Sequence, residues 1–220
     1  MLKRLKQGLE RIVYSPSVTQ PKARVLIAHG AGAGNQHDFM ESVCCELAHN
    51  NFEVISFNFP YMQTAYELDK RRPPNRVNLL IEYFISELER LDKDIPIYLA
   101  GKSMGGRVAS LLAADKNIQS KIAGVFVFGY PFIPQGKIEK FAQRTAHFPN
   151  ISIPFLILQG ERDTFGNFKN ISQQQFQDNI KLAWITSGDH SFSPLKSSGL
   201  SLQDNISSAV KEISQFIGNS

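Results

Sequence analysis

The chain has 220 residues, 42% of them hydrophobic and 20% charged, a length and composition suited to one folded domain with a real core. Aromatics at 10% and the absence of biased tracts exclude a disordered or fibrous chain. The net charge is only +4, and no basic stripe is interleaved with stacking aromatics, so nucleic-acid binding is not expected.

Short apolar runs alternate with segments of helical period along nearly the whole chain. Residues 1–20 read as a peripheral segment, with an edge strand around Ile12, Val13 and Tyr14. Arg24 to His29 reads as a buried strand running into the glycine-rich Gly30-Ala31-Gly32-Ala33-Gly34. From Asp38 to His49, Phe39, Val43 and Leu47 fall four apart, which predicts a helix with one buried face. Phe52 to Phe59 is strand-like and stops at Pro60. A polar loop, Asp69-Lys70-Arg71-Arg72-Pro73-Pro74, leads into an amphipathic helix over 75–91.

The second half repeats the rhythm. Strands are expected at Ile95 to Ala100, Ala123 to Phe128, Ile153 to Gln159 and Lys181 to Thr186. Helices are expected at Ser103 to Ala114, around Asn170 to Asp178, and at Leu202 to Ile217. The run from Pro131 to Pro149 carries no clear period. This alternation predicts an α/β fold with a mostly parallel central sheet and helices on both faces. No linker divides the chain, so 1–220 is expected to be a single domain.

Cys44 and Cys45 are adjacent, which excludes a disulfide framework and fits a reducing, cytoplasmic setting. No apolar run approaches the ~18 residues of a membrane helix, and the first residues lack the apolar stretch of a signal peptide. No membrane association is expected.

In a parallel sheet, chemistry collects at the carboxyl ends of the strands. There Gly101-Lys102-Ser103-Met104-Gly105 fits the G-x-S-x-G nucleophile elbow, between an expected strand and an expected helix. Gly101 and Gly105 are required because a Cβ at either place would collide across the turn. The segment is not a phosphate-binding loop, since the first glycine of that motif falls on Pro96. An activated serine needs a base and an orienter. Asp163 and His190 each lie just past a strand end, in the chain order Ser, Asp, His. Glu161 and Asp189 compete for the acid role, and Asp163 is preferred because Asp189 adjoins His190. The loop from His29 and Gly30 fits an oxyanion shelf, with the N–H groups of Ala31 and Met104 as donors and His29 ordering the loop.

Together the segments LIAHGAGAG, LAGKSMGGR, FVFGYPF, LILQGERDTFG and SGDHSF resemble the α/β-hydrolase superfamily, in the right order and over most of the chain. The wording is most similar to the compact KANL3/Tex30-like branch related to the dienelactone hydrolases. The resemblance implies an α/β-hydrolase fold without a large cap domain, and a serine hydrolase needing neither metal nor organic cofactor. The expected substrate is a small-molecule acyl compound, an ester or thioester, with lactone, peptide and perhydrolysis chemistry left open. A non-catalytic interaction module on the same fold is the alternative, and a protein partner or homo-oligomer is left open. Phe57, Phe59, Tyr61, Met62, Tyr130, Phe132, Phe165 and Phe192 follow strand ends or flank the acid and base, and are expected to line an apolar acyl pocket. Lys70, Arg71 and Arg72 read as a solvated basic loop or as a site for an anionic leaving group.

Overall fold

Runs of Val, Ile, Leu and Phe too apolar for a solvated face dictate the centre of the molecule. The computed structural model describes residues 3–7, 10–134 and 137–218, with side chains from residue 10 onward. The remainder of the 1–20 segment and two residues of the Pro131–Pro149 run lie outside the described residues. Among the described residues, eight strands form one sheet: β1 (Lys3–Gln7), β2 (Arg11–Ser15), β3 (Arg24–Ala28), β4 (Glu53–Phe57), β5 (Ile97–Lys102), β6 (Gly124–Phe128), β7 (Phe155–Gly160) and β8 (Ile180–Ile185). Their spatial order is β1-β2-β4-β3-β5-β6-β7-β8. The six strands from β4 to β8 in that order are parallel, with Leu26 level with Ile55 on one side and Leu99 on the other. β2 runs antiparallel to both its neighbours, β1 and β4.

The parallel strands are buried on both faces, which is why they read as continuous apolar runs. Along β7, Phe155 and Ile157 join one core cluster while Leu156 and Leu158 join the other. Helices α1 (Asp38–His49) and α8 (Leu202–Gly218) pack together over one face. Helices α3 (Val77–Glu89) and α4 (Met104–Ala113) cover the opposite face. In α1 the spacing predicted from sequence holds, and Phe39, Val43 and Leu47 are buried.

Three expectations need correction. The segment around Ile12 is not peripheral: β2 lies between β1 and β4, and Ile12 and Tyr14 are fully buried. The helix expected around Asn170 to Asp178 is only α7 (Phe168–Ile171), because the stretch beyond it has too few apolar residues to hold a helix face against the sheet. Pro60 does not simply end a strand: it opens the unforeseen helix α2 (Pro60–Glu67), at a position where a missing N–H costs nothing. A further short helix, α5 (Lys116–Gln119), follows α4. Between β6 and β7 the described residues form only α6 (Phe141–Thr145) and two 3₁₀ turns, so no large cap domain stands over the sheet.

Candidate active site

The chain passes from β3 to β4 on one side of the sheet and then returns to place β5 on the other side of β3. That reversal opens a crevice at the carboxyl ends of β3 and β5, where a parallel sheet offers its ligand site. The β3 end supplies the glycine-rich loop from His29, and the β5 end supplies Ser103.

Ser103 has φ 51° and ψ −112°, a strained conformation for a residue with a side chain. Such strain costs on the order of 1–3 kcal/mol and persists only where the surroundings impose it. Here they do. A Cβ on Gly101 would lie 2.3 Å from the Gly105 carbonyl carbon, and one on Gly105 would lie 2.5 Å from the His29 carbonyl oxygen. The two glycines therefore let β5, α4 and β3 close tightly, and Ser103 is lifted into the crevice.

His190 Nε2 lies 2.8 Å from Ser103 Oγ, and His190 Nδ1 lies 2.7 Å from Asp163 Oδ2. Asp163 is fully buried. Its Oδ1 accepts from the Phe165 N–H at 2.8 Å, and its Oδ2 also accepts from Gln159 Nε2 at 2.8 Å. A carboxylate receiving N–H donors on both oxygens is held in place and aims its free lone pair at the imidazole. His190 Nδ1 is then the donor and Nε2 the acceptor toward the serine hydroxyl. The rival carboxylates are engaged elsewhere: Glu161 accepts from the Ser187 N–H, and Asp189 from the Ser191 and Ser193 N–H groups. The Phe165 ring lies against the His190 ring, centroids 4.6 Å apart.

His29 is fully buried and orders its loop. The Phe59 N–H donates to its Nε2 at 3.0 Å, so Nδ1 carries the proton and donates to the Gly30 carbonyl at 2.6 Å. Burial pushes the imidazole pKa down to about 4 against the raising effect of its backbone contacts, so it is neutral at pH 7. Tyr61 braces the same loop by donating its hydroxyl to the Gly30 and Ala31 carbonyls. Ala31 stays exposed at the crevice, and Met104 heads α4, where N–H groups have no intrahelical acceptor.

A cleft of about 430 Å³ opens over Ser103 and His190, walled by the 30–33 loop, His37, Phe39, Met40 and Phe165. Of the aromatics expected to form an acyl pocket, only Phe165 lines it. Phe57, Phe59, Tyr130, Phe132 and Phe192 are fully buried core residues, Tyr61 is a buried loop brace, and Met62 faces a neighbouring groove. The cleft wall comes instead from the start of α1, whose apolar positions turn Phe39 and Met40 toward the crevice.

Two residues at this site escaped sequence reasoning. Lys102 is buried, donates from Nζ to the His190 carbonyl, and sits 5.6 Å from the Phe39 ring centroid. Burial lowers its pKa to about 8 while Asp163 and Asp189 oppose the fall, so the ammonium remains the dominant form at neutral pH. Gln159 is buried, accepts from the Tyr130 N–H at 2.8 Å, and ties that loop to Asp163. The available signal was a polar residue at the end of an otherwise apolar strand. No group of His, Cys, Asp and Glu suited to a metal ion occurs among the described residues. No described helix is long and apolar enough to cross a membrane.

Residues 21–218 match the alpha/beta hydrolase domain family, and the chain belongs to that family. A stretch of 109 residues is 28% identical to mouse monoglyceride lipase, covering 47% of this chain but only 33% of that protein. Among solved structures, dienelactone hydrolase from Anabaena variabilis superposes with a TM-score of 0.73 and 17% identity, covering 100% of this chain and 97% of that one. Est1E from Butyrivibrio proteoclasticus with ferulic acid bound gives 0.70 and 15%, over 96% and 95%. Monoacylglycerol lipase from Paleococcus ferrophilus gives 0.67 and 13%, over 96% and 100%. These structural likenesses establish the fold.

Proposed function

We propose that this chain is a serine hydrolase that cleaves a small carboxylic ester or thioester through an acyl-enzyme on Ser103. The observation that carries the reading is the continuous row from Asp163 Oδ2 through His190 to Ser103 Oγ, with links of 2.7 and 2.8 Å, at the floor of an open cleft. Ser103 Oγ bonds to the substrate carbonyl carbon as its proton passes to His190 Nε2. Asp163 holds the imidazole in the accepting tautomer and stabilises the imidazolium. The Ala31 and Met104 N–H groups receive the carbonyl oxygen as it becomes an oxyanion. Collapse breaks the bond to the alcohol or thiol, which leaves with the proton from His190. A water deprotonated by His190 then attacks the acyl carbon, releases the carboxylic acid and restores the serine. The residues named suffice for both steps.

A fluorophosphonate probe tests the reading. Stoichiometric labelling of Ser103, abolished in Ser103→Ala, together with turnover of 4-nitrophenyl esters of graded chain length, is the expected result. A folded protein whose serine stays unlabelled would point instead to an interaction module on this fold. Turnover at the wild-type level in purified Ser103→Ala would remove the serine from the mechanism.

A further inference from the structure

A second groove, of about 560 Å³, lies beside the cleft and shares with it the wall formed by Ala31, Gly32 and Ala33. Its far side is formed by Met62 and Tyr66 on α2 and by the loop that carries Lys70, Arg71 and Arg72. That loop is tied back onto α2 by the Lys70 N–H donating to the Ala65 carbonyl, so the helix-end carbonyl there is already occupied. The Tyr66 hydroxyl accepts from the Gly34 N–H, which couples the groove to the glycine-rich loop. Three cations thus stand over the groove against one carboxylate, Asp69. Among the described residues, no ion pair engages any of the three.

We propose that this groove binds an anionic group of the substrate, so that the esters cleaved at Ser103 carry a carboxylate or phosphate as well as the scissile bond. The proposal rests on the hydrolase reading above. It follows from contiguity: the loop expected to hold the oxyanion is also the near wall of the basic groove, so one small molecule can touch both. A nucleic-acid partner is disfavoured by the size of the patch, three side chains without a basic stripe beyond it. The cations are exposed, so their effect is modest and sensitive to salt.

Two matched pairs of esters test it. On the acyl side the pair is 4-nitrophenyl hemisuccinate and 4-nitrophenyl butyrate. On the alcohol side it is the butyryl esters of 4-hydroxybenzoate and 4-hydroxybenzamide. The expected result is a preference of about tenfold in kcat/KM for the anionic member of at least one pair at low salt, shrinking as salt is raised. The pair that shows it tells which side of the ester lies in the groove. In Lys70→Gln/Arg71→Gln/Arg72→Gln the ratio should collapse toward one. No preference in either pair, or one that survives the triple substitution, overturns the proposal. Calorimetric binding of the same esters to Ser103→Ala reads the groove without turnover. Tighter binding of the anionic member, abolished by the triple substitution, supports the groove even if no ester is hydrolysed, and equal binding of both members of each pair refutes it.

Discussion

Replacing Asp163 by Asn changes one atom and leaves no arrangement that works. Oδ2 now accepts from both His190 Nδ1 and Gln159 Nε2, while Oδ1 accepts from the Phe165 N–H. If the new amide nitrogen takes the Oδ2 place, it faces the Gln159 donor and forces His190 Nδ1 to become an acceptor. Nε2 then carries the proton and cannot take one from Ser103. If the amide flips, its nitrogen meets the Phe165 N–H, donor against donor, in a fully buried site. The first arrangement strands fewer groups, so the wrong tautomer should predominate. The loss expected in kcat is about 10⁴, or about 5.5 kcal/mol of transition-state stabilisation. The assay is hydrolysis of a 4-nitrophenyl ester, with circular dichroism confirming the fold. An Asp163→Asn enzyme within tenfold of wild type would refute the assignment of Asp163 as the orienting acid.

Three further outcomes are expected. Gly101→Ala drives its Cβ to 2.3 Å from backbone and should lose about 3 kcal/mol or more, whereas Gly32→Ala meets nothing within 4 Å and should leave the denaturation midpoint unmoved. His29, at about 4 when folded and 6.5 when free, binds its proton more readily in the unfolded chain. It therefore contributes stability that is fully present above pH 6.5 and lost as pH falls toward 4, up to about 3 kcal/mol. Urea midpoints of wild type and His29→Gln should converge over that range, and parallel curves would refute this. Lys102→Met keeps the stem but removes the donor to the His190 carbonyl, so kcat should fall about tenfold or more while the thermal midpoint holds, because a buried ammonium is also gone. Unchanged kcat would show that the strut does not position His190.

What could be read in the sequence was what local sterics and periodicity control. The elbow was legible because only glycine fits at 101 and 105, and α1 because Phe39, Val43 and Leu47 mark one face. Asp163 and His190 were legible because strand ends in a parallel sheet converge. The cleft wall was not legible. An aromatic just past a strand end looks the same whether it turns into the core, as Tyr130 and Phe192 do, or into the crevice, as Phe165 does. That choice is made by the helices packed above, whose placement no local pattern encodes. Lys102 was missed because its partner, the His190 carbonyl, lies far along the chain, and Gln159 because it joins Asp163 to the Tyr130 N–H of a separate loop. Pro60 was read as a terminator because proline at a strand end and proline at a helix start share one signature.

The most direct measurement is the mass of the protein quenched in acid within the first turnovers on a 4-nitrophenyl ester. A covalent acyl adduct, located by peptide mapping on Ser103 and absent from Ser103→Ala, is the predicted result. A pre-steady-state burst of 4-nitrophenolate matching the enzyme concentration, with no acyl group found on Ser103, would contradict the account.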